Sequence, residues 1–167
     1  AGAASFLPRL SSSTGSNDTP LNCGNIARPE VTMGMGFDVI DSFNSDGSAR
    51  AASAIVNNGY LVYASAKNLY LAQNGVGWAF GPLRPTIQRA EETAIYRLAL
   101  SDTGSAVYQG VAKVNGSLIN SYALSEDKGF LRVASTDNGV FNGKTAPIPA
   151  SRLDIFRANL PGDLPAA

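Results

Sequence analysis

An all-β fold built from a repeated unit of about four strands is the fold class that the sequence predicts. Short segments rich in β-branched and aromatic residues alternate with turns of Gly, Asn and Asp. The stretch SDGSARAASAIVNNG, at residues 45–59, returns in similar form as SDTGSAVYQGVAKVNG, at residues 101–116. Repetition of a whole strand-and-turn pattern within 167 residues indicates a repeat architecture.

The individual strands are predicted from alternating apolar positions and from the turns that end them. Ala66-Lys67 is a gap of hairpin length, Asn115-Gly116 is a strong hairpin signal, and the EDKG turn (126–129) separates two further apolar runs. The predicted strands are, in chain order, FDVIDSF (37–43), YLVYAS (60–65), NLYLAQ (68–73), TAIYRLALS (93–101), VYQGVAKV (107–114), LINSYALS (118–125), FLRVAST (130–136) and LDIFRANL (153–160).

Residues 86–100, TIQRAEETAIYRLAL, also suit a helix, because Ala, Glu, Gln and Arg have high helix propensity. We nevertheless predict a strand from about residue 92, since the corresponding segments elsewhere in the chain are short and rich in β-forming residues.

Alignment of the copies narrows the fold to a β-propeller. The Asn-Gly pairs at 58–59 and 115–116 are 57 residues apart, and SDG-SA aligns with SDTGSA if Thr103 is an insertion. A partial third copy follows, in which Ile155-Phe156-Arg157 repeats Ile95-Tyr96-Arg97. A period of about 57 to 62 residues with about four strands is typical of propeller blades, which surround a central channel. A β-sandwich with two similar halves is the alternative.

The chain is long enough for about two and a half to three four-stranded blades, whereas closed propellers have about four to eight. We therefore expect an incomplete ring in residues 33–167, with either a longer polypeptide or other chains supplying the rest of the propeller. Residues 1–32 are rich in Ser and Pro, and we expect an irregular segment that packs on the propeller.

Two insertions occupy the same place in the repeat, between its second and third strands. They are GVGWAFGPLRPTIQRAE (75–91) and DNGVFNGKTAPIPAS (137–151). Insertions at one point of a repeat emerge on one face, which is often the binding face, and aromatic and arginine side chains are favoured at binding hot spots. The predicted contact residues are Trp78, Phe80, Arg84, Arg89 and Phe141. Alternatively, Trp78 fills the core between blades.

No catalytic, cofactor-binding or metal-binding residue is predicted. The chain has no His, which removes the Ser-His-Asp and Cys-His nucleophiles and the usual zinc sites. Asp46, Asp102 and Asp137 lie beside Gly as ordinary turn residues do. Glu91 and Glu92 are adjacent, so on a strand they face opposite sides.

The composition also restricts the kinds of partner that we expect for this chain. The 13 basic and 13 acidic residues are scattered, which argues against nucleic-acid binding, and no apolar run is long enough to span a membrane. Cys23 has no partner within the chain, so it is either a free buried thiol or pairs with a cysteine elsewhere.

The amino-acid sequences of two segments resemble those of a known protein family. YASAKNLYLA (63–72) and NSYALSEDKGFLRVASTDNG (120–139) are similar to core segments of secreted or cell-surface bacterial and archaeal proteins with a C-terminal β-propeller, distantly related to WD40 repeats. Thr93, Ile95 and Leu98 match its middle strand, and LPRL (7–10), Cys23 and IARP (26–29) resemble the segment leading into the propeller. The resemblance covers about residues 7 to 140, implies export and a propeller, and carries no catalytic residues; the family's further blades have no counterpart here.

These observations predict an exported, periplasmic or cell-surface propeller module that acts in binding or protein assembly, with a protein or glycan ligand. One alternative is a carbohydrate-active propeller enzyme that uses carboxylates from separate blades. Another is a structural surface-layer or filament component.

Overall fold

The computed structural model describes residue 7 and residues 9–10, 19–32, 34–76, 91–139 and 148–158. Within these ranges the chain forms twelve β-strands and two short 3₁₀ turns, and none of them is a helix that could cross a membrane. The strands are β1 (Arg9–Leu10), β2 (Thr19–Pro20), β3 (Ile26–Ala27), β4 (Phe37–Phe43), β5 (Ala49–Val56), β6 (Leu61–Ala64), β7 (Asn68–Val76), β8 (Glu91–Leu100), β9 (Ala106–Asn115), β10 (Leu124–Asp127), β11 (Phe130–Asp137) and β12 (Ala150–Arg157).

Three sheets form three successive blades, and they confirm the prediction of an all-β fold made of partial propeller blades. The second blade is a four-stranded antiparallel meander in the order β6-β7-β8-β9. The third blade has the order β10-β11-β12. The first blade has the order β3-β5-β4, in which β4 and β5 are antiparallel and β3 runs parallel to β5.

The repeat is visible in the hydrogen bonds of two equivalent turns. The amide of Asn44 donates to the carbonyl of Ser48 at 2.8 Å, and the amide of Ser101 donates to the carbonyl of Ser105 at 2.9 Å. Both turns have the same length, and each has a glycine with positive φ, Gly47 at 82° and Gly104 at 87°. The interpretation of Thr103 as an insertion was therefore wrong, because an unbroken offset of 57 residues superimposes β4 and β5 on β8 and β9.

The register of the third copy also differs from the sequence alignment. The amide of Leu100 donates to the carbonyl of Lys67 at 2.8 Å where the second blade's first hairpin closes, and the amide of Ala158 donates to the carbonyl of Gly129 at 2.7 Å in the third blade. This match makes Ala158 equivalent to Leu100 and Ile155 equivalent to Arg97. The sequence alignment had shifted β12 by two residues, a shift that preserves which side each residue faces.

Two strand predictions fail for identifiable reasons. No strand was predicted at 49–56, because its alanines have low strand propensity, yet β5 forms since it is paired by β3 and β4 on its two sides. The predicted strand LINSYALS begins only at Leu124, because the side chain of Asn120 accepts a hydrogen bond from the amide of Tyr122 at 2.9 Å and starts a 3₁₀ turn there. In contrast, β8 (Glu91–Leu100) confirms the strand predicted from about residue 92, while residues 86–90 lie outside the described ranges.

Apolar side chains between the blades form two cores. One lies between the first and second blades, and the other lies between the second and third blades. Alternation along each strand sends adjacent residues to different cores, so Leu71 faces the first blade while Tyr70 faces the third. The main members are Ile55, Leu71, Tyr96 and Leu98 in the first core, and Tyr70, Ile95, Leu131, Val133 and Phe156 in the second.

The described part of the N-terminal segment contacts the first blade. Ile26 and Ala27 pair with Ala54 and Ile55 on β5, and Leu21 is buried. Cys23 is exposed, so the first of the two alternatives for it, a buried free thiol, was wrong. It lies in a 3₁₀ turn, Cys23–Asn25, whose amide at Gly24 donates to the side chain of Asn22 at 2.9 Å.

Candidate functional site

The meander gives each blade two ends with different loops. One end has the short turns that join β4 to β5, β6 to β7, β8 to β9 and β10 to β11, and we call it the turn end. The opposite end has the connections that join β5 to β6, β7 to β8, β9 to β10 and β11 to β12, and we call it the insertion end. Because strands alternate in direction, both insertions predicted from the sequence have their flanking strand ends at the insertion end.

The five predicted contact residues lie outside the described ranges. Trp78, Phe80, Arg84 and Arg89 fall between β7 and β8, and Phe141 falls between β11 and β12. The described strand residues nearest to them are Val76, Glu91, Asp137 and Ala150. The contact residues therefore stay predictions.

Exposed apolar side chains accumulate on the described loops of the insertion end. Tyr122 is 93% exposed and Ile119 is 89% exposed, although apolar side chains of this size are usually buried. The loops of the turn end have only polar residues, Ala and Gly, as in SAKN at 65–68 and SDTGS at 101–105. The exposed apolar residues at the insertion end are Met35, Tyr60, Ile119, Tyr122 and Ile148.

Hydrogen bonds link the described connections of the insertion end. The hydroxyl of Tyr60 lies 2.9 Å from Asn74 Oδ1 and 3.3 Å from the carbonyl of Leu118, so it joins two successive blade connections. The buried hydroxyl of Thr93 lies 2.7 Å from the same Asn74 oxygen and 2.6 Å from the carbonyl of Gly116. Burial raises the pKa of the Tyr60 hydroxyl, which stays protonated at neutral pH.

Gly116 is required where β9 leaves the second blade. Its φ is 86°, and a Cβ at this position would collide with the carbonyl of Thr136 on β11. The amide of Ser117 donates to that carbonyl at 2.9 Å, and the amide of Thr136 donates back to the carbonyl of Ser117 at 3.0 Å. The connection is thus pinned to the third blade just before the exposed residues begin.

The connection from Asn115 to Tyr122, NGSLINSY, has no charged residue. Tyrosine supplies a large contact area at low entropic cost, while Asn, Ser and Gly supply adaptable hydrogen bonds, which is the composition of protein-binding loops in antibodies. The neighbouring connection, NNGY at 57–60, has the same character. We call these two connections, with Tyr60, Ile119 and Tyr122 as their exposed apolar residues, the uncharged patch.

A second polar cluster joins the second and third blades near the turn end. The Glu126 carboxylate of β10 accepts hydrogen bonds from Ser65 Oγ at 2.7 Å, from Tyr70 Oη at 2.8 Å and from Asn68 Nδ2 at 2.9 and 3.0 Å. The Glu126 amide also donates to Tyr63 Oη at 2.9 Å. The sequence predicted these tyrosines only as packing residues, because the residue that meets them lies about sixty positions away.

Burial and the neighbouring carboxylate set the protonation of this cluster. Desolvation raises the pKa of the Tyr70 hydroxyl, and its hydrogen bond to Glu126 and the carboxylate's charge raise it further. Desolvation lowers the pKa of Arg97, while the nearby Tyr70 and Glu126 act in the opposite direction. The guanidinium of Arg97 also donates to the carbonyl of Ala158, which adds another link to the third blade.

The carboxylates of Asp38, Asp46 and Asp137 also accept hydrogen bonds from other groups of the chain. Asp38 Oδ2 accepts from Asn57 Nδ2 at 2.8 Å and from the amide of Gly59 at 2.9 Å. Asp46 accepts from the amide and the hydroxyl of Ser48, mainly the hydroxyl, and these bonds lower its pKa. Asp46 and Asp137 each accept from the amide two residues later, as turn aspartates do.

The stacked blades, with a loop-bearing insertion end above a polar turn end, define a β-propeller module. The chain belongs to the beta propeller domain family, whose family model matches residues 1–160. No curated protein and no solved structure matches the chain.

Proposed function

We propose that this chain is a rigid binding module that holds a protein partner on the uncharged patch of its insertion end. The observation that carries the proposal is the exposure of Tyr122 and Ile119 on a connection held by the hydrogen bonds between Ser117 and Thr136 and by the local cap of Asn120. Exposed aromatic side chains on a pre-formed surface lose little entropy on binding, and they are favoured as anchors.

The hydrogen bonds of two carboxylates, those of Glu126 and Asp38, favour a structural role for these groups over a catalytic one. The Glu126 oxygens accept hydrogen bonds from three side chains, and Asp38 accepts two, so both groups act as structural acceptors. A general base or a nucleophile requires an oxygen that can reach a substrate.

Placement of the module outside the cytoplasm is also part of the proposal, and it rests on the resemblance of residues 63–72 and 120–139 to secreted propeller proteins.

Photo-crosslinking at one position tests the proposal. A benzophenone amino acid replaces Tyr122 at the insertion end or, as a control, Thr103 at the turn end, and each protein is irradiated with an envelope extract of the source cells. We expect a discrete cross-linked protein from position 122 only, competed away by unlabelled wild-type protein.

A second variant separates binding from folding. Ile119→Lys places a charge in the uncharged patch at an exposed residue, so the fold is expected to remain while competition by this variant falls at least about tenfold, as loss of a hot-spot contact implies. Equal labelling from positions 122 and 103, or full competition by Ile119→Lys, would contradict the proposal.

A further inference from the structure

The connection from β5 to β6 contains an Asn-Gly pair whose backbone amide contacts a carboxylate. The amide of Gly59 donates to Asp38 Oδ2 at 2.9 Å, and Asn58, the residue before it, is exposed. A Cβ at Gly59 would lie only 2.9 Å from the same oxygen, so the lack of a side chain allows this close approach. Asn57 Nδ2 also donates to Asp38 Oδ2, at 2.8 Å, and thereby helps to fix the position of the carboxylate.

An asparagine followed by glycine can react with its own backbone. The amide nitrogen of the glycine attacks Cγ of the asparagine side chain, and the ring closure is favoured because both groups belong to one chain and no Cβ hinders the attack. The attacking nitrogen must lose its proton, and a general base must lie within hydrogen-bonding reach of that proton. Asp38 Oδ2 meets this requirement at Gly59, so the substrate within reach of this carboxylate is its own chain.

We propose that Asn58 is a self-modification site, at which Asp38 acts as the general base and the side-chain amide is lost as ammonia. Asp38 takes the proton of the Gly59 amide, and the Gly59 nitrogen forms a bond to Asn58 Cγ. The bond from Cγ to the side-chain nitrogen breaks, and this nitrogen leaves as ammonia with the proton from Asp38. Water then opens the cyclic imide and leaves a carboxylate at position 58, in a normal or an isoaspartyl linkage.

Two other Asn-Gly pairs of the described ranges lack such a base. Asn74 and Asn115 are exposed, as Asn58 is, so contact with water does not distinguish them. Asn74 lies in β7 and Asn115 ends β9, and both strands pair with β8, which holds their backbones extended. The amide of Gly116 donates to the backbone carbonyl of Glu91 at 2.6 Å, and a carbonyl is too weak a base to take its proton. We expect slow reaction at both positions.

A third pair repeats the contact found at Asn58. Asn138 is exposed in the connection that follows β11, and the amide of Gly139 donates to Asp137 Oδ1 at 2.8 Å. The same argument therefore predicts reaction at Asn138, with Asp137 in place of Asp38 as the base. This position serves as an internal standard for any change at Asp38.

The modification changes the surface that we propose for partner binding. Asn58 belongs to the connection NNGY (57–60), one of the two that form the uncharged patch, and the reaction places a negative charge there. A charge that loses its water without gaining a partner opposes association. Binding therefore weakens as the protein ages. This consequence rests on the proposed function, whereas the chemistry at Asn58 does not.

Peptide mapping by mass spectrometry tests the chemistry. Folded wild-type protein is incubated at neutral pH, and the fractions of cyclic imide, aspartate and isoaspartate at each Asn-Gly pair are measured over time. We expect position 58 to react at least about tenfold faster than position 115, as a positioned general base implies. In protein unfolded by urea, where Asp38 no longer lies beside Gly59, this difference is expected to disappear.

Asp38→Asn removes the base but keeps an oxygen that can accept the same hydrogen bonds. We expect the rate at position 58 to fall at least about tenfold in this variant, while the rate at position 138 stays the same because Asp137 is intact. Equal rates at positions 58 and 115 in folded wild type, or an unchanged rate at position 58 in folded Asp38→Asn, would overturn the proposal. The wild-type comparison decides the matter even if the variant does not fold.

Competition in the photo-crosslinking assay tests the consequence for binding. Aged wild-type protein and fresh Asn58→Asp protein each serve as the unlabelled competitor of capture at position 122, and both are expected to compete at least about tenfold less well than fresh wild type. Equal competition by fresh and aged protein would show that the modification does not regulate the uncharged patch. Because peptide mapping requires no partner, it decides the chemistry at Asn58 even if no partner is captured, so failure of one proposal is distinguishable from failure of the other.

Discussion

The carboxylate of Glu126 in the third blade accepts a hydrogen bond from the hydroxyl of Tyr70 in the second blade, at an Oη–Oε2 distance of 2.8 Å. The same carboxylate binds Ser65 and Asn68 of the second blade. A single side chain therefore connects three donors of the neighbouring sheet, next to the apolar core that contains Tyr70. This arrangement orients the two blades, since the apolar contacts alone are not directional.

Removal of that carboxylate is expected to destabilise the protein. Glu126→Ala leaves the donors of Ser65, Asn68 and Tyr70 without their acceptor, and we expect a loss of about 2–4 kcal/mol in the free energy of unfolding, measured by urea denaturation. The control is Asp127→Ala, at the next residue, which removes an exposed ion pair with Arg132 and is expected to cost less than about 1 kcal/mol. Equal losses in the two variants would contradict the proposed role of Glu126.

The raised pKa of Tyr70 predicts a loss of stability at alkaline pH. Below a pH of about 10, the usual pKa of tyrosine, the hydroxyl is protonated in both the folded and the unfolded chain. As the pH rises further, the unfolded chain ionises first, and the contribution of Tyr70 to stability is progressively lost. We expect the stability advantage of wild type over Tyr70→Phe to stay constant up to about pH 9 and to shrink as the pH rises above about 10, in urea titrations.

The two proteins of that comparison differ only in the Tyr70 hydroxyl, so the difference in their stabilities isolates its ionisation. A stability difference that stays constant with pH would show that ionisation of Tyr70 is not linked to folding.

Gly116 and Gly47 form a matched pair for testing backbone constraint. Both have positive φ, 86° and 82°, but a Cβ at Gly116 would collide with Thr136 whereas nothing lies within 4 Å at Gly47. Gly47→Ala is expected to cost about 1–2 kcal/mol from conformation alone. Gly116→Ala is expected to cost a further 1–3 kcal/mol or so, as overpacking does, and thermal unfolding of both variants measures the difference. Similar losses would show that β11 moves away without penalty.

The buried hydroxyl of Thr93 is expected to stabilise the insertion end. Thr93→Val keeps the shape of the side chain but removes its bonds with Asn74 and the carbonyl of Gly116, so we expect a loss of about 1–2 kcal/mol. Thr103→Val, at an exposed turn, is expected to change stability by less than about 0.5 kcal/mol. Hydrogen exchange of the amides from Gly116 to Tyr122 checks the local effect, and unchanged exchange in Thr93→Val would contradict it.

Local features were predictable where neighbouring residues determine them. The hairpin at Lys128-Gly129 was identified from EDKG, and the structure shows a two-residue loop with φ of 50° and 80°, the signature of a tight hairpin turn. The first hairpin of the second blade, at Ala66-Lys67, was identified as well. It closes differently, because the hydroxyl of Ser65 accepts a hydrogen bond from the amide of Asn68 at 3.1 Å. That difference in turn geometry was not apparent from the sequence.

The sequence by itself determined the all-β class, the repeat of about sixty residues and most strand positions, because alternation and turn chemistry act over a few residues. Only the tertiary structure decided that alanine-rich β5 is a strand, that β12 aligns two residues away from its apparent match, and that Glu126 meets Tyr70. These features depend on contacts between different strands and blades, whose energies are comparable to local preferences and can override them.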